Sequence, residues 1–454
     1  MYYIILLICI LSRLISTIYY PEDIDSLRFA LSILDSYDIS IFQPHLPGYP
    51  VFCFIAFIFY SITGSIAVSF SLIGGISTFV IIYISIKVLR YKFHSNSFFV
   101  VSILIILNPM IWILGNRYMP DLMGLAIAIS GFYYIICSDS RKGKCMGFFL
   151  AGLLLGVRLS YFPILLIPII INIRLRGDTI YYLASIVAGL SIWLFPFIVT
   201  QGLETVLDTG YRHATGHFSD YGGTILTEGD ILLRIKSFLH TVWSDGLGGF
   251  WIDRSWVTIL TSLMILLPLR NIHFARSLFL DSRVRVLLIS AILYIGWIFF
   301  FQNIIYKSRH VLPIVYLVLI AIGYLIQFEK RYTIYWLLSI PLIFLTSNLV
   351  IDHRDGTSIH YVKDYLQIRP PDIIISNKLV NFYLQSNQLD SEYISAESID
   401  SSFRYDIFHR KDVKIIGNYN DIIDKDIKIY LDTVFFHNPY MNRMWPAIPI
   451  YSVK

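Results

Sequence analysis

The sequence predicts an α-helical polytopic membrane protein of about eleven transmembrane helices with a small C-terminal α/β soluble domain. Three observations carry this. Hydrophobic residues make up 56% of the 454-residue chain and charged residues only 15%, and mean hydropathy is +0.65, too apolar for a soluble globule. Apolar runs long enough for a hydrocarbon core of about 30 Å recur along residues 1–350. After about residue 351 charges become frequent and the long apolar runs stop. The net charge of +5 sits largely in short loops, so it reads as membrane topology and argues against nucleic-acid binding.

The spans are placed near 1–19, 66–88, 97–114, 120–137, 145–157, 161–173, 179–200, 255–269, 285–301, 310–327 and 333–350. The first is read as a retained helix, because it lacks a basic leader and a small-residue cleavage site and contains Arg13. Arg13 is expected to snorkel or to pair with an acid inside the bundle. The short spans are tolerable inside a bundle or where the bilayer thins. Alternate loops carry Lys87, Arg90 and Lys92; Arg141, Lys142 and Lys144; Arg174 and Arg176; Arg270, Arg276, Arg283 and Arg285; Lys330 and Arg331. The positive-inside rule makes these cytoplasmic and turns the other loops outward. The apolar run Tyr49 to Ile62 would reverse that parity if it crossed, so it is expected to lie along the outer interface, set off by Pro44, Pro47 and Pro50.

Residues 351–454 alternate short apolar runs at 372–376, 413–417 and 427–431 with helical stretches such as 378–389. That rhythm predicts strands separated by helices, and parity puts the domain outside. Cys9, Cys53, Cys137 and Cys145 have no metal-type spacing. No Asn-x-Ser/Thr acceptor occurs, which fits a prokaryotic source and the inner (plasma) membrane of a bacterium.

The outward loops hold the candidate chemistry. The first carries Asp23 and Asp25, then His45 and Tyr49; the second carries Arg117 and Asp121; the third Arg158 and Tyr161. The fourth carries His213, His217 and Asp220, and the fifth Lys307, Arg309 and His310. Acids and cations thus meet at one membrane face. A carboxylate there can take the proton of an incoming hydroxyl, while guanidinium and ammonium groups hold a departing phosphate. If the transferred group is a sugar, a carboxylate also favours an oxocarbenium-like transition state. Competing readings use the same residues: Asp23 and Asp25 as helix caps, Asp121 as helix-start chemistry, and Arg158 and Arg309 as headgroup anchors. His213 and His217 have metal-ligand spacing, but Gly210, Gly216, Gly222 and Gly223 interrupt a helix there, so no metal site is assigned and acceptor contact or loop ordering is preferred.

In order, Asp25 to Leu31, Gln43 to Pro50, Asp121 to Gly124, Gly156 to Tyr161, Gly216 to Thr224 and Lys307 to Pro313 resemble the motifs of the GT-C superfamily of membrane glycosyltransferases. The chain is similar to the protein O-mannosyltransferase and aminoarabinose transferase-like families over residues 1–350, its GT-C-like catalytic domain. The resemblance implies an inverting enzyme that moves a sugar from a polyprenyl-phosphate donor to a protein, lipid or polysaccharide acceptor at the outer face. It makes Asp25 the base, with Asp23 as rival and Asp121 as the second acid. Arg158, Lys307, Arg309 and His310 fall at donor-phosphate positions. His45, Tyr49, Arg117, Tyr161, His213, His217 and Asp220, on the same outward loops, are expected to bind substrate. The superfamily mixes enzymes with and without a divalent metal such as Mg or Mn, so a metal requirement is left open. The alternative is a transporter or flippase of lipid-linked saccharides, which predicts charges at mid-membrane and two related halves. A third possibility is a non-catalytic relative whose soluble domain binds a partner.

Overall fold

The computed structural model describes residues 2–175, 177–219, 223–274, 281–399, 411–419 and 428–453. Asp220, Gly222, Arg176, Arg276 and Ile427 lie outside them. The helices in chain order are α1 (Tyr2–Ile15), α2 (Ile24–Leu34), α3 (Pro50–Thr63), α4 (Ile66–Leu89), α5 (Asn96–Ile106), α6 (Pro109–Leu114), α7 (Asp121–Cys137), α8 (Arg141–Arg158), α9 (Pro163–Leu175) and α10 (Thr179–Gln201). They continue with α11 (Leu203–Ser219), α12 (Ile231–His240), α13 (Val257–Leu266), α14 (Ser282–Phe301), α15 (Leu312–Ile326), α16 (Thr333–Asp355) and α17 (Ser358–Ile368). The remaining elements are β1 (Ile373–Ser376), α18 (Lys378–Ser386), β2 (Glu392–Ser395), β3 (Val413–Ile416), β4 (Ile429–Phe436) and β5 (Ala447–Val453).

Seven helical segments of the described residues are long and apolar enough to cross a membrane, and shorter apolar helices include α1, α3, α5, α7 and α9. Burial sorts them into centre and rim. The span 308–326 has 72% of its apolar window buried, whereas α10 has 11% and α14 has 17%, so α10 and α14 present their apolar side chains to lipid. Proline stands inside α9, α10 and α16 at Pro168, Pro196 and Pro341, which neighbouring helices make tolerable in lipid. The helix α3 is about 21 Å long at 1.5 Å per residue, short of a hydrocarbon core. It packs on α4, α8, α2 and α10, and Gly64 in the left-handed region (φ 65°) ends it just before Ser65 caps α4.

Arg13 corrects an expectation. It is fully buried, and instead of an acid it meets Thr78 Oγ1 at 3.5 Å, the Ile106 carbonyl at 3.4 Å and the Trp112 ring at 4.2 Å. Hydroxyls, a carbonyl and a π face surround the cation without a counter-ion. The helix α11 corrects another: it runs unbroken through Gly210 and Gly216, because two isolated glycines weaken a helix by only about 1 kcal/mol each.

The C-terminal sheet has the order β2-β1-β3-β5-β4. Its first three strands are parallel and β5 and β4 add antiparallel. The sheet does not stand apart. Ile24 and Leu27 of α2 share one apolar core with Ile359, Val362 and Leu366 of α17, with Val380, Tyr383 and Leu384 of α18, and with Ile374, Ile416 and Ile450 of the sheet. The loop after the first helix is therefore clamped between the bundle and the sheet.

Candidate active site

The start of α2 is fixed by Asp23, which caps the helix by accepting from Ser26 N at 2.8 Å. Two residues on, Asp25 is 3% exposed and turns its carboxylate to the loop before α15. Its Oδ2 accepts from Lys307 Nζ at 2.6 Å and also from Arg309 Nη2, and Arg28 lies 4.0 Å from Oδ1. Burial alone would raise the Asp25 carboxyl, but Lys307 and Arg309 outweigh it and hold the group well below the usual carboxylate range. Lys307 is the most open of these cations, its side chain 25% exposed against 5% for Arg309, and marks the mouth of the site.

Arg309 links this acid to the next, with Nε 3.9 Å from Asp121 Oδ2. Asp121, fully buried in the first turn of α7, is engaged by Arg158 Nη2 at 2.8 Å and by the Tyr161 hydroxyl at 3.2 Å. Gly124 makes that approach possible: a Cβ there would stand 2.5 Å from Arg158 Cβ, so the glycine lets α8 lay Arg158 across the acid. Arg158 Nη1 also donates to the Tyr49 hydroxyl at 3.4 Å. Tyr49 holds a left-handed backbone (φ 50°) behind Gly48 (φ 79°), and its hydroxyl is 3.1 Å from His45 Nε2. The His45 and His213 rings stack at 5.7 Å. Burial lowers His45 well below its usual range and lowers His213 to about 4, so both are neutral at pH 7. A continuous line thus runs Lys307, Asp25, Arg309, Asp121, Arg158, Tyr49, His45, His213.

The other predicted residues fall beside this line. Asp23 and Arg117 belong to a second cluster, with Arg117 Nη2 2.7 Å from Asp23 Oδ2 and also paired with Glu22. His310 is buried behind the first line, its backbone carbonyl accepting from the Tyr294 hydroxyl at 3.0 Å. His217 contacts the Phe301 carbonyl at 2.6 Å, and Asp220 lies outside the described residues.

Sequence reasoning missed the residues that brace the acids. Glu22 also pairs with His353, and Asn442 of the loop before β5 reaches Glu22 Oε1 at 3.2 Å and Asp23 Oδ2 at 3.5 Å. Glu22 stood in the same acidic run and could have been weighed; Asn442 had no signal. Asp25 and Asp121 each face cations, and no group of three His, Cys, Asp or Glu side chains among the described residues could hold a metal ion.

No family model matches this sequence, and no curated protein does. Among solved structures the chain is similar to ArnT from Cupriavidus metallidurans bound to undecaprenyl phosphate, with a TM-score of 0.57 at 9% identity over 99% of this chain and 97% of that one. The apo state of the same protein gives a TM-score of 0.51 at 10% identity over the same shares. The likeness covers membrane bundle and sheet together, so the fold is shared along the whole chain.

Proposed function

We propose that this chain is an inverting GT-C glycosyltransferase that moves a sugar from a polyprenyl-phosphate donor to an acceptor hydroxyl at the outer face of a bacterial plasma membrane. The observation that carries the reading is Asp25 held between Lys307 and Arg309, with Asp121 and Arg158 adjoining. A polyprenyl-phosphate donor suits the shared fold, since the similar ArnT structure binds undecaprenyl phosphate.

The ion pairs suggest how the acid and cations work in turn. With no donor present, Asp25 is too weak a base, because two cations hold its charge. An arriving phosphate competes for Lys307 and Arg309, and Asp25, losing its partners, becomes more basic. The acceptor hydroxyl then gives its proton to Asp25 while its oxygen bonds to the anomeric carbon from the face opposite the phosphate. The bond from that carbon to the phosphate oxygen breaks, its electron pair passes to the phosphate, and Lys307 and Arg309 hold the charge that develops. Asp121 keeps Arg158 and Tyr161 in place beside the sugar, and Tyr49, neutral His45 and His213 line the acceptor side. Arg117 secures Glu22 and Asp23 at the start of α2, His217 and Asp220 are assigned to the substrate, and His310 anchors the loop that carries Arg309 through its backbone carbonyl on Tyr294. No step passes through a metal. Protein, lipid and polysaccharide acceptors all fit this chemistry.

A transporter would spread charges through mid-membrane. Here the acids and their cations gather at one end of the bundle, and the deep cation Arg13 is met by hydroxyls, a carbonyl and a ring. The test is to incubate the purified protein with labelled polyprenyl-phosphate sugars, wild type against Asp25→Asn, with and without chelator. Transfer by the wild type in both chelator lanes, lost in the variant, is expected. Flipping of the donor in vesicles without any transfer would refute the enzyme reading.

A further inference from the structure

A cavity of about 670 Å³ lies where the segment 253–257, the end of α16 and the loop before β5 meet, and none of Asp25, Asp121, Lys307 or Arg309 lines it. One wall is apolar, from Phe344, Leu345, Leu349 and Ile351 of α16. Phe344 and Ile351 are 54% and 55% exposed, so this wall opens sideways onto the lipid-facing surface. The opposite wall carries Arg254 and Arg443.

The two arginines differ. Arg443 is engaged: its Nε pairs with Asp245 at 2.8 Å, its Nη2 donates to His240 Nδ1 at 3.0 Å, and its Nη1 reaches the Ile305 carbonyl at 3.4 Å. Arg254 is not. All three of its guanidinium nitrogens are buried without a hydrogen-bond partner among the described residues; the face of the Tyr440 ring lies 3.7 Å away, and Asp245, the acid near enough to act on its charge, is already held by Arg443. Two carboxylates also line the cavity. Asp352 accepts from Asn438 at 2.7 Å, and Asp253 is exposed to solvent. A buried guanidinium without an acceptor is strongly disfavoured unless something supplies one, and its planar fork matches the oxygens of a phosphate.

We propose that this cavity binds the headgroup of a phosphate-bearing lipid, the phosphate on Arg254 with Arg443 beside it and the acyl chains on the Phe344 and Ile351 side of α16. The ligand is an amphiphile because the cationic wall and the lipid-facing apolar wall share one cavity. The site is distinct from the one that cradles Asp25. It is mechanically joined to it, since the Arg443 side chain bonds the carbonyl of Ile305, two residues before Lys307.

The test is native mass spectrometry of the full chain, delipidated in detergent and titrated with phosphatidylglycerol or with diacylglycerol, which has the same acyl chains and no phosphate, for wild type, Arg254→Gln, Arg254→Lys and Ile351→Glu. One saturable phosphatidylglycerol is expected on the wild type and on Arg254→Lys, weakened roughly tenfold or more in Arg254→Gln by loss of charge-assisted hydrogen bonds. Ile351→Glu, on the exposed rim, folds even if Arg254→Gln does not, and is expected to weaken lipid capture as well. Equal affinity for the two lipids overturns the proposal, as does unchanged phosphatidylglycerol binding in both Arg254→Gln and Ile351→Glu. Inorganic phosphate that binds with the same Arg254 dependence while phosphatidylglycerol does not would also overturn it, assigning the site to a soluble anion. Each readout is binding and independent of sugar transfer.

Discussion

The substitution Asp25→Asn should push donor binding and turnover in opposite directions. In the wild type, Oδ2 of Asp25 takes two charge-assisted hydrogen bonds, one from Lys307 at 2.6 Å and one from Arg309, and an incoming phosphate must compete with them. An interaction of that kind is worth about 1.5–3 kcal/mol. Replacing the carboxylate with an amide of the same shape removes the competitor, so a sugar-free polyprenyl phosphate should bind roughly tenfold to a hundredfold more tightly. Turnover should fall roughly 10²–10⁴-fold, because the amide cannot accept the acceptor's proton. The variant will be less stable, since breaking a buried pair leaves a cation uncompensated and costs about 3–5 kcal/mol. The lower end applies here, as Lys307 keeps access to water and Arg309 keeps Asp121 at 3.9 Å. The assay is equilibrium binding of labelled polyprenyl phosphate, run beside single-turnover transfer well below the melting temperature. Weaker phosphate binding in Asp25→Asn would refute the competition, and transfer within tenfold of wild type would refute the base.

Arg117→Met should lower the thermal midpoint sharply, by about 3–5 kcal/mol of stability, since it leaves Glu22 and Asp23 buried without the guanidinium that joins them; thermal unfolding in detergent checks this. Gly124→Ala should cost about 1–3 kcal/mol by overpacking against Arg158, and it should weaken transfer by parting Arg158 from Asp121, read from melting and initial rates together. His213 gives a pH dependence. Its folded pKa of about 4 lies below its ordinary value of 6.5, so the unfolded chain binds the proton first and stability falls as pH drops from 6.5 towards 4. The loss is about 3 kcal/mol at most, and His213→Gln should flatten the melting temperature over that window.

What can be read in the sequence is that the acids and cations come together. Runs of twenty or so apolar residues and the alternation of basic loops are chemical demands of the bilayer, and by themselves they bring Asp25, Asp121, Arg158, Lys307 and Arg309 to one end. What cannot be read is which acid meets which cation. Asp23 and Asp25 stand two residues apart, and only the helix start separates them: the first becomes a cap held by Arg117, and the second turns towards Lys307. Arg158 is expected to meet a phosphate, yet it lies on Asp121, a contact set by the glycine at 124 and invisible in spacing. In the sheet, β2 and β5 escape the pattern. Glu392 to Ser395 is short and half exposed, and Pro449 interrupts the run in β5. The brace from Asn442 has no sequence signal, because a lone asparagine in a loop has no pattern.

That brace has a consequence for how the protein is made. Asn442 reaches back across 419 residues to Asp23, and α2 buries Ile24 and Leu27 in a core completed by the last strands. At synthesis rates of about 5–20 residues per second, the loop bearing Asp25 waits on the order of 20–80 s between its emergence and the arrival of the residues that hold it. For about the first two-thirds of that interval Asp25 lacks Lys307 and Arg309, which lie 282 and 284 residues further along the chain, and the membrane helices insert around an unfinished site. The clamp on the reactive loop is therefore assembled last, from the first and final parts of the chain.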